Sequence, residues 1–232
     1  MSEAVRATAR VLERAAGEHE GVVVAYSDGK DSRVVMDLAL RAGFRRVHAF
    51  FMEFIPGLRC VDDSLQQVEQ RLSAVPCFQG PILRYPHWLL RRCLVDGVYT
   101  RGAGETALPA WKLHDVYALA RHDTQTELVL TGAKGSDSAW RRRMMGNWGT
   151  RGDVAYPIAK WNRLQVEGYL RTRGIEIPAS SGKSATGIDL SEPSLLWLHD
   201  TFPDDFERLC KVFPFARAVV KRREFFGVRE AA

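Results

Sequence analysis

Val22-Val23-Val24-Ala25-Tyr26-Ser27-Asp28-Gly29-Lys30-Asp31-Ser32 runs directly into Arg33-Val34-Val35-Met36-Asp37-Leu38-Ala39-Leu40. An apolar β-branched run, a small Gly-containing turn and an apolar-periodic segment in that order predict a strand, a tight loop and a helix. Backbone N–H groups and a helix N-terminus then converge at the loop, where an anion can sit. Ser27 and Ser32 add hydroxyls, and Lys30 adds a mobile positive charge. The spacing is not that of a Walker loop, because only Ser27-Asp28 precedes Gly29-Lys30 and Asp31 follows the lysine. The competing reading is an ordinary β-turn-α corner, since Gly and Asp populate such turns anyway.

Outward from this stretch, short apolar strands alternate with helical periodicity. Val22 to Tyr26 is followed by a helix from Ser32 to Ala42, a strand from Val47 to Met52 and a helix from Val61 to Leu72. Gly43 is a C-cap candidate, and Val61, Leu65, Val68 and Leu72 form a narrow apolar face. A strand is expected over Pro81 to Tyr85, then a Gly-rich interval at Gly102 to Gly104. A helix through Leu113, Val116, Tyr117 and Ala120 leads to the strand Glu127 to Thr131. Upstream, Val5, Ala9, Leu12 and Ala16 align on one side of an expected amphipathic helix. The natural solution is an α/β fold: an open, mostly parallel twisted sheet with helices on both faces, followed by a small helical C-terminal extension. The expected division is a nucleotide-binding domain over residues 1–178 and a loop plus helical extension over 179–232, with the Ser180 to Asp189 stretch as a surface loop.

A second constellation, Thr131-Gly132-Ala133-Lys134-Gly135-Ser136-Asp137-Ser138-Ala139-Trp140-Arg141-Arg142-Arg143, follows the carboxyl end of a strand. Ligands of open α/β sheets gather outside those ends, so this segment and the Ser27 to Ser32 loop can face one ligand. Guanidinium forks suit phosphate or sulfate oxygens, although consecutive residues on a helix point in different directions. A solvated basic face is the alternative.

With 232 residues, 46% hydrophobic content and no apolar run of membrane-spanning length, the chain suits one sizeable globular domain. The N-terminus has no apolar signal segment, so a cytoplasmic location and no membrane association are expected. Cys60, Cys77, Cys93 and Cys210 are widely spaced and form no Cys-x-x-Cys pair, which argues against a zinc knuckle or an iron–sulfur ligand set. The six histidines show no metal spacing, and His87 reads as packed or surface rather than as a ligand. A net charge of +5 permits attraction to nucleotides or nucleic acid without requiring either. Lys221-Arg222-Arg223 reads first as a solvated run.

The loop resembles the Ser-Gly-Gly-x-Asp-Ser element of the PP-loop superfamily. Four features in order, the Ser27 to Ser32 loop, the Val47 to Met52 strand, the Gly132 segment and Tyr156-Pro157-Ile158-Ala159-Lys160-Trp161, resemble the PAPS (phosphoadenosine phosphosulfate) reductase-like family, whose adenine nucleotide alpha-hydrolase-like fold also houses ATP sulfurylase small subunits. The likeness spans residues 20 to about 175 and is nearest to short phage- and prophage-encoded members. Asp28 stands where the family usually has its first glycine. A carboxylate there repels phosphate unless it turns away or meets a metal ion, and both remain open.

The resemblance implies a site. Ser27, Asp28, Gly29, Lys30, Asp31 and Ser32 would surround the phosphates, with Gly132, Lys134, Asp137, Ser138, Arg141 and Arg142 lining the same cleft. Tyr26 and Met52 would flank the adenine, with Glu53 near the ribose or base. ATP, or PAPS, is the implied nucleotide, with Mg2+ at Asp31 and Asp137 and catalytic roles for Lys30, Asp31 and Arg142. The implied enzyme cleaves ATP between the α and β phosphates and adenylylates an acceptor with release of pyrophosphate. Sulfonucleotide reductases of the family carry a nucleophilic cysteine on the C-terminal tail. This chain ends Phe225-Phe226-Gly227-Val228-Arg229-Glu230-Ala231-Ala232, so reductase activity does not follow, and Cys210 reads as packing. A sulfonucleotide-binding protein whose thiol comes from a partner protein, or a noncatalytic module in a nucleic-acid-modification system, is the alternative. The acceptor, and whether a second copy of the chain takes part, stay open.

Overall fold

Val22, Val23 and Val24 are fully buried, the signature of a central strand covered on both faces. In the computed structural model, which describes residues 3–90, 111–145, 150–177 and 188–227, they form β1 (Gly21–Ala25). Parallel neighbours lie on both sides: β2 (Arg46–Glu53), in register from Gly21 with Arg46 to Ala25 with Phe50, and β4 (Val129–Thr131), in register from Val23 with Val129. Beyond them lie β3 (Leu83–Pro86) and a short hairpin, β5 (Thr150–Arg151) and β6 (Val154–Ala155), giving the order β3-β2-β1-β4-β6-β5. β4 and β6 are parallel and β5 is antiparallel to β6, so the expected open, mostly parallel α/β sheet is present.

The hairpin was not read from sequence. Its strands are two residues long, too short for any periodicity, and they turn at Gly152, whose φ of 59° suits a tight hairpin.

Two compact units divide the described residues. The first combines residues of Met1–Phe51, Leu65–Tyr85 and Tyr117–Ala179, and holds the sheet apart from the ends of β2 and β3. In it, α2 (Lys30–Arg41) packs on β1, β4 and α6 (Arg163–Arg173). The expected helix through Leu113 is α4 (Leu113–Thr124), which precedes β4 in the chain. Asn162 and Gln165 form a capping box at the start of α6, and left-handed Gly174 closes it. The N-terminal helix α1 (Glu3–Glu18) buries Ala4, Thr8, Leu12 and Ala15, a face rotated from the expected one; Val5 is 38% exposed. The hydroxyl of Thr8 explains the rotation, because it donates to the Pro157 carbonyl (2.7 Å) and accepts the buried Trp161 Nε1–H (2.8 Å).

The second unit takes residues of Met52–Ser64, Pro86–Val116 and Ser180–Ala232. Phe54, Ile55 and Leu58 pack with residues of α7 (Glu192–Thr201) and α8 (Pro203–Val212), namely Leu195, Leu198, Phe206, Leu209 and Cys210, and with Phe213. Asp205, 4% exposed, accepts the backbone N–H groups of Arg59 (2.9 Å) and Cys60 (2.8 Å). A carboxylate remote in sequence thereby caps α3 (Arg59–Leu72) and meets its positive end. After a short 3-10 turn (Pro214–Ala216), α9 (Arg217–Phe226) carries Lys221, Arg222 and Arg223, paired at the surface with Glu224, Glu192 and Asp200. His87 is packed, edge-on to Phe54 and stacked on Trp88.

Gly102 to Gly104, Cys93, most of the expected loop from Ser180 and the last five residues lie outside the described residues.

Candidate functional site

Chain order and sheet order part company at β1. From it the chain builds β2 and β3 to one side and then β4, β6 and β5 to the other. A crevice opens outside the carboxyl ends of strands at such a reversal. The segments that leave β1 and β4 there are the two picked out by sequence, residues 26–29 and 132–138.

Gly29, at φ −78° and ψ 163°, is the N-cap of α2 and, being glycine, brings no side-chain acceptor to the helix start. The first N–H groups of a helix have no intrahelical partner, so this end offers donors and the positive pole of the helix dipole. The hydroxyl of Ser32 donates to the Gly29 carbonyl (2.9 Å) and accepts from the exposed Ser27 hydroxyl (3.3 Å). Lys30, with 24% of its side chain exposed, lies 4.0 Å from the Asp31 carboxylate.

Asp28 occupies the left-handed region, φ 56°, where a non-Gly residue is uncommon and Asp or Asn is best tolerated. Its carboxylate turns to the protein: the Tyr26 hydroxyl donates to Oδ1 (2.8 Å), and Arg33 reaches the same oxygen through Nε (3.0 Å) and Nη2 (2.8 Å). Arg33, 9% exposed, also donates to the Glu176 carbonyl (2.8 Å). Burial, then the neighbouring Asp28 anion, pushes the Tyr26 phenol far above its ordinary range, so it remains a donor. Sequence reading missed Arg33. Its signal was a charged residue inside the buried run from Ser32 to Met36, five positions after an acidic turn residue.

The second wall begins at Gly132. A Cβ there would lie 3.0 Å from the Asp31 carbonyl carbon and 3.1 Å from the Ser32 nitrogen, so any side chain would force the backbone at the start of α2 to give way, and glycine lets the segment after β4 pass close beside it. Lys134 is 3% exposed. Its ammonium donates to Asp31 Oδ2 (2.5 Å) and lies 3.2 Å from Asp137 Oδ1, while Arg141 holds Asp137 Oδ2 (2.7 Å). Partial burial opposes the Asp137 anion, yet Lys134 and Arg141 keep its carboxyl below the usual range. The Ser138 hydroxyl accepts the Arg141 N–H (3.0 Å) at the start of α5 (Ala139–Met145), and exposed Arg142 donates to the Gly135 carbonyl (3.3 Å).

The structure therefore gathers Tyr26 to Ser32 with Gly132, Lys134 and Asp137 in the first unit, and Ser138, Arg141 and Arg142 continue that wall. Met52 and Glu53 end β2 and belong to the second unit.

A divalent cation suits one atom in particular: Asp31 Oδ1 is buried and makes no hydrogen bond among the described residues. Mg2+ needs only one or two protein carboxylates when phosphates complete its shell. Among the described residues there is no group of three or more His, Cys, Asp or Glu that could hold a metal by itself.

No protein-family model matches the chain, and no curated protein matches it significantly. Similar solved structures include an NH3-dependent NAD synthetase from Campylobacter jejuni in complex with nitrate (13% identity, 100% of this chain and 99% of that one, TM-score 0.48). A phosphoadenylyl-sulfate reductase from Candida auris in a phosphate complex shares 14% identity over 73% of this chain and 81% of its own, at TM-score 0.48. A U34-tRNA thiolase from Methanococcus maripaludis with its [4Fe-4S] cluster shares 15% over 94% and 79%, again at 0.48. At these identities and TM-scores, none of the three assigns a function to this chain.

Proposed function

We propose that the chain is an ATP-using enzyme of the PP-loop type that adenylylates an acceptor and releases pyrophosphate. The observation that carries this reading is the start of α2, whose N-cap is Gly29 and so supplies no side-chain cap, opening beside the strand-order reversal with Lys30 and Ser27 around it. Such an end suits the β and γ phosphates of ATP. An acceptor oxygen would attack the α-phosphorus, the bond from that phosphorus to the α–β bridging oxygen would break, and pyrophosphate would leave with the electron pair. Lys30 and Arg142 are assigned to the charge that develops on the leaving group, as electrostatic clamps rather than nucleophiles. Asp31, with Asp137 as the second carboxylate, would hold Mg2+, whose charge offsets that of the phosphates. Asp137 would also orient Lys134, and the ammonium of Lys134 fixes one Asp31 oxygen so that the other is presented.

The test is ATP titration by calorimetry, followed by pyrophosphate release with candidate acceptors. Charge-assisted phosphate bonds contribute about 1.5–3 kcal/mol each, so Lys30→Ala and Ser32→Ala are each expected to raise the dissociation constant on the order of tenfold or more. Unchanged affinity in both variants removes the loop from the site. Chelation is expected to weaken ATP binding or turnover, and a response confined to Zn2+ points to a different site.

A further inference from the structure

Two loop residues, Asp28 and Asp31, carry a charge that repels phosphate, and whereas Asp31 is assigned to a cation, the surroundings of Asp28 give it another task. Its backbone sits in the left-handed region at φ 56°, a conformation that costs a non-Gly residue free energy and persists only where neighbours impose it. Those neighbours stand at both ends of the loop. Tyr26, 3% exposed, is the first residue after β1, and Arg33 lies in the first turns of α2. Both converge on Asp28 Oδ1, at 2.8 Å from the hydroxyl and 3.0 and 2.8 Å from the guanidinium. The ion pair is well shielded, with 9% and 14% of the two side chains exposed. Arg33 is fixed further by the Glu176 carbonyl, so the guanidinium is an anchor and not a free cation awaiting a ligand.

We infer that Asp28 is a positioning residue of the phosphate loop, held in its left-handed turn by Arg33 and Tyr26 so that its charge is neutralised within the protein rather than offered to the ligand. This rests on the loop being a nucleotide site, as proposed above. It separates two roles that a carboxylate in this position can play: Asp31 keeps a buried oxygen for a cation, whereas the Asp28 oxygen that faces Arg33 and Tyr26 is committed to them. Where the resembled family usually has glycine, this chain carries a side chain that stabilises the left-handed turn through an ion pair.

The experiment measures ATP affinity by calorimetry for Asp28→Gly, Asp28→Asn, Arg33→Gln and the Gly/Gln double variant, with amide hydrogen exchange over Lys30 to Arg33 in the chain without nucleotide. Asp28→Gly keeps the turn accessible but removes the anchor, so affinity is expected to fall on the order of fivefold to tenfold, with faster exchange at the loop. Arg33→Gln is expected to do the same, and the double variant to be no worse than the weaker single, because both changes break one interaction. Asp28→Asn keeps the partner for the Tyr26 hydroxyl and should recover part of the loss. Additive losses, or an Asp28→Gly loss that disappears when Mg2+ is chelated, would mean that the carboxylate meets the ligand or its metal, and the inference falls. Unchanged affinity and exchange in both single variants also overturn it. If the wild-type chain binds no ATP, the proposed function fails by itself, and the exchange coupling between Asp28 and Arg33 still decides the positioning role.

Discussion

The Lys134 ammonium lies 2.5 Å from Asp31 Oδ2, joining two segments 103 residues apart in sequence at the start of α2. A buried ammonium with a carboxylate on each side serves as a strut between the β1 and β4 loops. Removing one partner of a buried pair leaves charge uncompensated. Lys134→Met is expected to cost about 2–3 kcal/mol of stability, less than a fully buried pair would, because Asp31 and Asp137 retain 26% and 29% exposure. Urea denaturation measures the cost, and ATP calorimetry on the folded variant should show weakened binding. A variant as stable as wild type would mean that the strut contributes nothing.

Gly132 supplies the second constraint on that junction. The atoms a Cβ would strike belong mainly to the backbone of Asp31 and Ser32, which cannot yield as the end of a flexible side chain can. Gly132→Ala is expected to displace the start of α2, to destabilise by about 1–3 kcal/mol and to weaken ATP binding. Gly168→Ala, where a Cβ meets nothing within 4 Å, is the matched control and should leave affinity unchanged.

Stability should respond to pH through His87. Burial lowers its pKa from 6.5 to about 4, against a small opposing pull from Asp189, and its Nδ1 accepts the Leu89 N–H at 3.1 Å. Between those two values the unfolded chain binds a proton that the folded chain refuses, so stability falls as pH drops from 6.5 toward 4 and is insensitive to this group above 6.5. The full loss is about 3 kcal/mol. Denaturation curves at stepped pH should lose this slope in His87→Gln; an unchanged slope would assign the acid sensitivity elsewhere.

Thiol chemistry should be dispensable. Cys210 is 3% exposed in the apolar cluster around Phe206 and Phe213, and burial pushes its thiol up to about 11. Burial, reinforced by Asp205, pushes Cys60 higher still. Thiols so protonated are poor nucleophiles at neutral pH. Alkylating reagents should therefore label the native chain slowly at both positions, and Cys60→Ser, Cys77→Ser and Cys210→Ser variants that fold should retain pyrophosphate release. Thioredoxin-dependent sulfite release from PAPS, abolished by Cys210→Ser, would replace adenylylation with the reductase reading.

Local chemistry made the strand, loop and helix at residues 21–41 legible, since a β-branched run, a Gly-containing turn and a 3.6-residue apolar period each leave a mark within a few positions. The same holds for β2 and for most of α3, whose Leu65 and Val68 are buried as the pattern implies, and for the strand that ends before Gly132. A two-residue hairpin strand leaves no such mark. The buried face of α1 was also misread, because a Thr hydroxyl that finds partners at Pro157 and Trp161 packs as well as an alanine does.

By itself, then, the sequence determined the strand, loop and helix at residues 21–41, the neighbouring strands β2 and β4, and which residue types stand at the carboxyl ends of β1 and β4. Tertiary structure alone decided that Asp28 answers to Arg33, that Lys134 joins Asp31 to Asp137, that a Cβ at Gly132 would press on the start of α2, and that Asp205 caps a helix 145 residues upstream. Propensity and periodicity act over one or two turns of chain. A charge finds its partner only after the sheet order has brought distant segments together and removed the water that would otherwise have solvated both.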